Sequence, residues 1–303
     1  MGVGSIGKRH LTNLHDIYSR KKLKLEVHAL RSENRPLENS IIKLIDKQIF
    51  EIKKLDCNYD MILLSNPTSL HYEYLKELIP YSKNFFIEKP LFDQSDYELK
   101  NLNLDKESLY YVACPLRYTS VIKYIKELVS NNHIYSARAI CSSYLPDWRK
   151  DVDYTKVYSA SKENGGGVCI DLIHEWDYIT YLFGFPIETK SFNGKVSDLN
   201  ITSEDLAVYI ARYVDKFIEI HLDYFGRVPS RYIQLFTKEI TIIGDIIGSK
   251  ISFSDGRESI TFNDPPNDKY IREMEYFLEL CERKKENLND ICYALKTLKL
   301  AQS

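Results

Sequence analysis

The strongest constraint on this chain lies in its first seven residues, where Gly2, Gly4 and Gly7 spell G-x-G-x-x-G. That spacing allows a tight turn, a close approach to a pyrophosphate and close packing of a helix whose N-terminus faces the anion. The motif has a structural context: a strand before it, a helix after it, and a second strand beyond. Residues 7–22 carry Leu11, Leu14, Ile17 and Tyr18 at helical spacing, and "LEVHAL" (25–30) reads as a strand. Only Met1 precedes the glycines. Taken alone, the motif is equally a phosphate-binding loop or an ordinary glycine-rich turn.

The rest of the first third sharpens the choice. "SIIKLIDKQIF" (40–50) reads as helical or as a short turn and helix, "DMILLS" (60–65) as a buried strand and "SLHYEYLKELIPY" (69–81) as a helix. "NFFIEKP" (84–90) is a strand halted by proline, and "LYYVACPL" (109–116) is another strand. Short apolar strands separated by helices predict parallel β-α-β units in a doubly wound α/β domain. A helix at 120–131 leads out of it. Six strand-like runs between 136 and 263 follow, interrupted by one helix over 171–184, and the chain ends helical. Neighbouring strands without crossover helices predict a second α/β domain with a mostly antiparallel open sheet. The expected domains are 1–117 and 118–303.

Composition removes several function classes. A formal net charge of -2 gives no footing for nucleic acid, and no apolar run reaches the length needed to span a bilayer. The N-terminus lacks the charged-then-apolar plan of a secretory signal. The six cysteines, at 57, 114, 141, 169, 281 and 292, show neither C-x-x-C pairs nor zinc spacing, so no metal site is expected. Apolar contexts such as "YVACPL" and "GVCIDL" predict buried, reduced thiols and a cytoplasmic protein.

Three further stretches carry chemistry. The strand at 25–30 ends in Arg31 and Ser32 with no carboxylate at its tip. A guanidinium there fits a 2′-phosphate, which favours NADP over NAD; its alternatives are stacking on adenine or pointing into solvent. The strand ends at "LLSNPTSLH" (63–71) and "FFIEKPLF" (85–92) fall where doubly wound folds place ligands. In "KENGGGVCIDLIHEWDYITYLFG" (162–184), Asp171 and His174 lie three apart, so on one face if both belong to one helix. A carboxylate beside an imidazole orients it and raises its basicity; the plain alternative is a helix-start acid with a packed histidine. Glu175 and Asp177 read as surface or capping charges.

Together "GVGSIGKRHLTNL", "SNPTSLH", "IEKPL", "CPLRYTSVIKYIKELV", "LPDWRKDVDY" and "YSASKENGGGVCIDLIHEWDYITYLFG" resemble the Gfo/Idh/MocA oxidoreductases over nearly the whole chain. "LPDW" to "YLFG" is most similar to members in surface-polysaccharide and nonulosonic-acid sugar pathways. The resemblance implies a Rossmann domain, a second domain whose open sheet forms a homo-oligomer, and hydride transfer between NAD or NADP and a sugar-type hydroxyl or ketone. It implies Lys89 as the holder of the reacting oxygen, His174 as proton acceptor or donor, and Asp171 as its assistant. Gly2, Gly4, Ser5, Ile6 and Gly7, with Arg31 and Ser32, would bind cofactor. So would Ser65, Asn66, Pro67, Thr68, His71, Glu88 and Lys89. Arg117, Trp148 and Tyr158 are candidates for substrate contact.

Two departures stand out. The Asp-to-His gap is three where many members have four, which puts their individual roles in question. The first Rossmann strand is absent from the sequence, with Met1 standing where its last residue would be, which predicts a translation start further upstream. It also motivates a second reading, a degenerate homologue serving as a binding or scaffold protein; intact Lys89, Asp171 and His174 weigh against it.

Overall fold

The computed structural model shows how short the strands of a parallel sheet can be. It describes residues 2–303 apart from Asn34 and Cys57. Met1, standing where a strand would end, and Cys57 lie outside the described residues. The chain divides into two units, Met1–Ala113 with Tyr270–Leu295, and Cys114–Lys269 with Lys296–Ser303.

In the first unit α1 (Ser5–Arg20) buries Gly7, His10, Leu11, Leu14 and Ile17, a stripe at helical spacing. It is followed by β1 (His28–Leu30), α2 (Asn39–Ile42), β2 (Lys47–Ile49), β3 (Ile62–Leu64), α3 (His71–Leu78), β4 (Asn84–Ile87) and β5 (Leu109–Val112). All pairings are parallel: β1 with β2, and β3–β4–β5 in that order. Gly2 connects the two groups. Its N–H donates to Leu30 O at 3.1 Å, and Ser65 Oγ–H donates to its carbonyl at 3.1 Å. The stretch 40–50, expected to be helical or a short turn and helix, yields the single turn α2 and then the unexpected strand β2. Its apolar residues fit a helical period, but pairing with β1 puts Ile49 into the core and overrides it.

The second unit opens with α4 (Ser120–Asn131), capped by Thr119, whose hydroxyl oxygen accepts the Ile122 N–H at 3.4 Å. Then come β6 (Ser136–Tyr144), α5 (Val168–Asp171), α6 (His174–Phe183), β7 (Glu188–Gly194), β8 (Leu206–Arg212) and β9 (Phe217–Asp223). The series ends with β10 (Phe225–Phe236), β11 (Thr241–Asp245), β12 (Lys250–Phe253) and β13 (Ile260–Thr261). These strands form one sheet in the order β13-β12-β11-β10-β6-β9-β8-β7, antiparallel except for β6 with β9. Alternation fixes its faces. Ala137, Ala139, Ile218, Ile220, Ala207, Tyr209, Ile233 and Leu235 are fully buried on one side. Register places Phe192, Val208, His221, Ile140 and Tyr232 in a row on the other.

The single helix expected over 171–184 is two. Ile173 N–H bonds to Ile170 O and Glu175 N–H to Leu172 O, so the backbone tightens to three-residue spacing between α5 and α6. Asp171 ends one helix and His174 begins the next.

The chain closes with α7 (Asp268–Cys281) and α8 (Ile291–Ala301). Most of α7 belongs to the first unit, where the sequence reading had placed everything after 117 in the second. Phe277 packs against Phe86 and Tyr111, and Tyr111 Oη–H donates to Glu273 Oε1 at 3.0 Å. Among the described residues no helix is long and apolar enough to cross a membrane, and no group of three His, Cys, Asp or Glu could hold a metal. Cys114, Cys141 and Cys169 are buried free thiols, whereas Cys292 is exposed.

Candidate active site

The glycine loop works by close approach. Gly7 is buried one turn into α1, and a Cβ built there would sit 2.4 Å from the Gly2 carbonyl oxygen. Gly4 caps the helix without a side-chain hydrogen bond, the first turn holds no acid, and open space surrounds its missing Cβ. Four N–H groups of a helix start need acceptors, and here an anion can supply them. Gly4 and Ser5 are exposed and Ile6 half-buried beside that space.

The end of β3 adds a second sign of a ligand. Asn66 has both side-chain amide atoms buried with no hydrogen-bond partner. Orphaned buried amides are uncommon and call for an absent partner. Ser65 is spent on Gly2, Pro67 is exposed, and Thr68 begins a one-turn 3-10 helix. His71 is fully buried, with its ring nitrogens each 3.0 Å from a carbonyl oxygen, Leu91 O and Asn66 O. Burial pushes this imidazole below its ordinary value. It clamps the β3 loop to the loop after β4. These residues fit a dinucleotide: the helix N-terminus would take the pyrophosphate and the Asn66 amide a polar group near it.

After β4 come Glu88, Lys89 and a cis peptide to Pro90. Glu88 is buried and paired with His10 Nε2, and its other oxygen accepts the Lys89 N–H at 3.1 Å. Burial raises its carboxyl, but the hydrogen bond and charge of His10, then Lys89, outweigh that and hold it below the usual range. His10 in turn packs edge-on against Phe86 and Tyr270. Arg31 is nearly buried: Nη1–H donates to Gln48 Oε1 at 2.6 Å and Nη2–H to Arg35 O. The expectation that its guanidinium favours a 2′-phosphate finds no support in this arrangement. Ser32 beside it is exposed.

In the second unit the glycine run shapes the carboxylate. Gly167 has φ +142, and a Cβ there would fall 2.1 Å from Glu204 Oε1, so the position requires glycine. The turn delivers α5 with Cys169 N–H donating to Glu204 Oε1 at 3.4 Å and Asp171 at its end. Asp171 is buried between two phenols. Tyr158 Oη–H donates to Oδ1 and Tyr224 Oη–H to Oδ2, the latter at 2.6 Å. Trp148 stands edge-on to Tyr224 with ring centroids 5.2 Å apart, and its Nε1–H donates to Ser143 Oγ at 2.9 Å. His174 is half-buried at the start of α6.

Two acids read as surface charges are in fact buried. Asp177 takes a two-pronged bond from Arg117, Nε–H to Oδ2 at 3.0 Å and Nη2–H to Oδ1 at 2.7 Å. Glu175 is fully buried, its Oε1 2.9 Å from Arg231 Nε. Both acids are buried on α6, where a charge is tolerated only with a partner.

Residues 1–104 match the family model described as "Oxidoreductase family, NAD-binding Rossmann fold", GFO_IDH_MocA. Over that first third the chain is similar to this oxidoreductase family. Glucose-6-phosphate 3-dehydrogenase of Bacillus subtilis (strain 168) is 22% identical over 310 residues, spanning 89% of this chain and 82% of that protein. The uncharacterized oxidoreductase YrbE of the same organism is 25% identical over 192 residues, 62% of this chain; the chain spans 53% of YrbE's length. Levoglucosan dehydrogenase, solved with NADH and levoglucosan, superposes with a TM-score of 0.80 at 16% identity, over 99% of this chain and 94% of its own. The UDP-N-acetylglucosamine 3-dehydrogenase GnnA of Acidithiobacillus ferrooxidans gives 0.75 at 17% identity, over 99% and 93%. Such distant likeness shows the fold alone: a Rossmann unit followed by a mostly antiparallel sheet.

The first unit gathers Gly2, Gly7, Ser65, Asn66, His71 and Glu88 at the carboxyl ends of β1, β3 and β4. The second gathers Trp148, Tyr158 and Asp171. Arg117 is drawn instead to Asp177. His10 and Tyr224 went unread in the sequence. His10 lies at helical spacing on the buried stripe of α1, which marked it as interior but not as the partner of Glu88.

Proposed function

We propose that this chain is an NAD(P)-dependent oxidoreductase that interconverts a secondary hydroxyl and a ketone on a sugar or sugar derivative. The observation that carries this reading is the cradle in the first unit, where an uncapped helix start adjoins the unpartnered Asn66 amide. A nicotinamide dinucleotide, when bound, supplies or accepts the hydride. Lys89 Nζ donates to the reacting oxygen and stabilises alkoxide charge as it develops. His174 takes the hydroxyl proton during oxidation and returns it during reduction, and Asp171 favours the charged imidazole. Trp148 and Tyr158 offer aromatic faces to the sugar.

The sugars named for the relatives above support a carbohydrate substrate. The finer reading, a sugar of surface-polysaccharide assembly, rests on the stretch from "LPDW" to "YLFG". The test is fluorescence titration of the purified chain with NADH and NADPH, followed by turnover with free, phosphorylated and nucleotide-linked sugars. NADH is expected to bind at least as tightly as NADPH, because Arg31 already serves Gln48 and Arg35. Binding of neither by a folded chain would sink the enzyme reading and favour the scaffold alternative.

The open face of the large sheet supports self-association. Phe192 is 84% exposed on β7, and Ile210 lies on the same face of β8. Burying such residues against a second copy removes apolar surface from water. A dimer or larger oligomer is expected by sedimentation at micromolar concentration, and a monomer there argues against it. Burial pushes the Cys141 and Cys169 thiols up to about 12, which supports inert, reduced cysteines and a cytoplasmic home.

A further inference from the structure

We propose that Tyr224 is a positioning residue for Asp171, its buried hydroxyl fixing one carboxylate oxygen for the proton chemistry at His174. The inference rests on the function proposed above and deepens it by assigning a role to a residue outside the glycine, E-K-P and D-x-x-H motifs.

Tyr224 joins β9 to β10 and is fully buried. Its backbone is tied on both sides: N–H donates to Asp205 O at 3.0 Å, and its carbonyl accepts the Leu145 N–H at 2.8 Å. Asp223 pins the next residues, Oδ1 accepting the N–H groups of Phe225 at 3.1 Å and Gly226 at 2.8 Å. The ring is braced by Trp148. A hydroxyl carried on so fixed a frame sets where the Asp171 carboxylate can sit. The 2.6 Å separation is that of a strong, charge-assisted bond to a carboxylate.

Tyr158 makes the matching bond to the other oxygen from a short 3-10 turn (Tyr158–Ala160), and its side chain is partly exposed. The two phenols differ accordingly: Tyr224 is the fixed anchor, and Tyr158 sits on the accessible side. Both are neutral, so they stabilise the carboxylate without cancelling its charge. Burial, followed by the charge of Asp171, pushes both phenols above their ordinary values, which keeps them protonated and donating. The Glu204 carboxylate raises both phenols further, while the Arg149 charge lowers Tyr158. Cys169 on α5, and His174, Glu175, Asp177, Tyr178 and Tyr181 on α6, are the other titratable groups of these two helices. The Tyr224 bond is testable because a hydrogen bond donated to a carboxylate favours its charged form.

The test reads Asp171 directly. Side-chain carboxyl carbons are labelled with 13C in the full chain without substrate, and Asp171 is assigned by its loss in Asp171→Asn. In Tyr224→Phe the Asp171 midpoint is expected to rise by about one pH unit. With a turned-over sugar, the acid limb of kcat/KM should move upward by the same amount, while cofactor affinity holds. An unchanged midpoint in a folded Tyr224→Phe chain overturns the proposal, as does a moved midpoint with an unmoved acid limb. If Tyr224→Phe does not fold, 3-fluorotyrosine placed at 224 keeps the shape and strengthens the donor. The midpoint should then fall, and no change would again overturn the assignment. Failure of the function itself shows separately, as wild-type chain that turns over no sugar, and leaves the carbon titration to decide.

Discussion

Lys89→Ala is expected to cut turnover roughly 100- to 1000-fold while cofactor affinity stays within a few-fold of wild type, the scale of losing one donor to a developing oxyanion. Lys89 follows β4 directly, and its backbone N–H is held by a Glu88 carboxylate that His10 anchors. The main chain at this position is therefore set by a buried pair, and truncating the side chain removes an ammonium without loosening the loop. An interaction made mainly in the transition state lowers kcat and kcat/KM together. Lys89→Arg should not restore the rate, since a planar guanidinium cannot place its charge where a compact ammonium sits. Steady-state kinetics beside the dinucleotide titration checks both halves. Near-wild-type turnover in Lys89→Ala refutes the assigned role, and an intact rate with weakened dinucleotide binding moves Lys89 to the cofactor side alone.

What could be read without coordinates was what repeats locally. The α4 helix matches its predicted span because Val121, Ile122 and Ile125 recur at helical spacing and Thr119 announces the start. The antiparallel sheet was legible from alternation, and the strand ends from their small polar residues. The losses share one cause, which is pairing across long sequence separations. His10 meets Glu88 from 78 residues away, and Tyr224 meets Asp171 from 53 away. A lone tyrosine between two strands carries no local signal that a carboxylate awaits it. Glu175 and Asp177 looked like surface charges because their arginines lie 56 and 60 residues off. At 162–184 the glycines announced a crowded backbone, but neither the Glu204 contact nor the tightened turn splitting α5 from α6 could be seen in the residues themselves. The strand β2 was missed because a three-residue parallel strand is recognised by its neighbour, not by its own pattern.

Asp177→Ala is expected to destabilise the second unit by about 3–5 kcal/mol, the cost of leaving one partner of a buried ion pair behind. That lowers the melting temperature on the order of 10 °C. Arg117 is itself buried, stacked over Tyr181 at 4.8 Å, and cannot swing its charge into water without unpacking α6. Yet the pair adds little net stability. Burial pushes the Asp177 carboxyl up by more than the Arg117 charge and hydrogen bond pull it down, so desolvation already consumes the attraction. The double variant Arg117→Met/Asp177→Leu should therefore melt near wild type while each single change is costly. That non-additivity distinguishes a buried pair from two independent packing losses. The same double variant decides what Arg117 does for the substrate. If its guanidinium serves only Asp177, KM for the sugar is unchanged in a chain of restored stability. A KM raised tenfold at wild-type stability would instead give Arg117 a second task, because packing alone has by then been repaired.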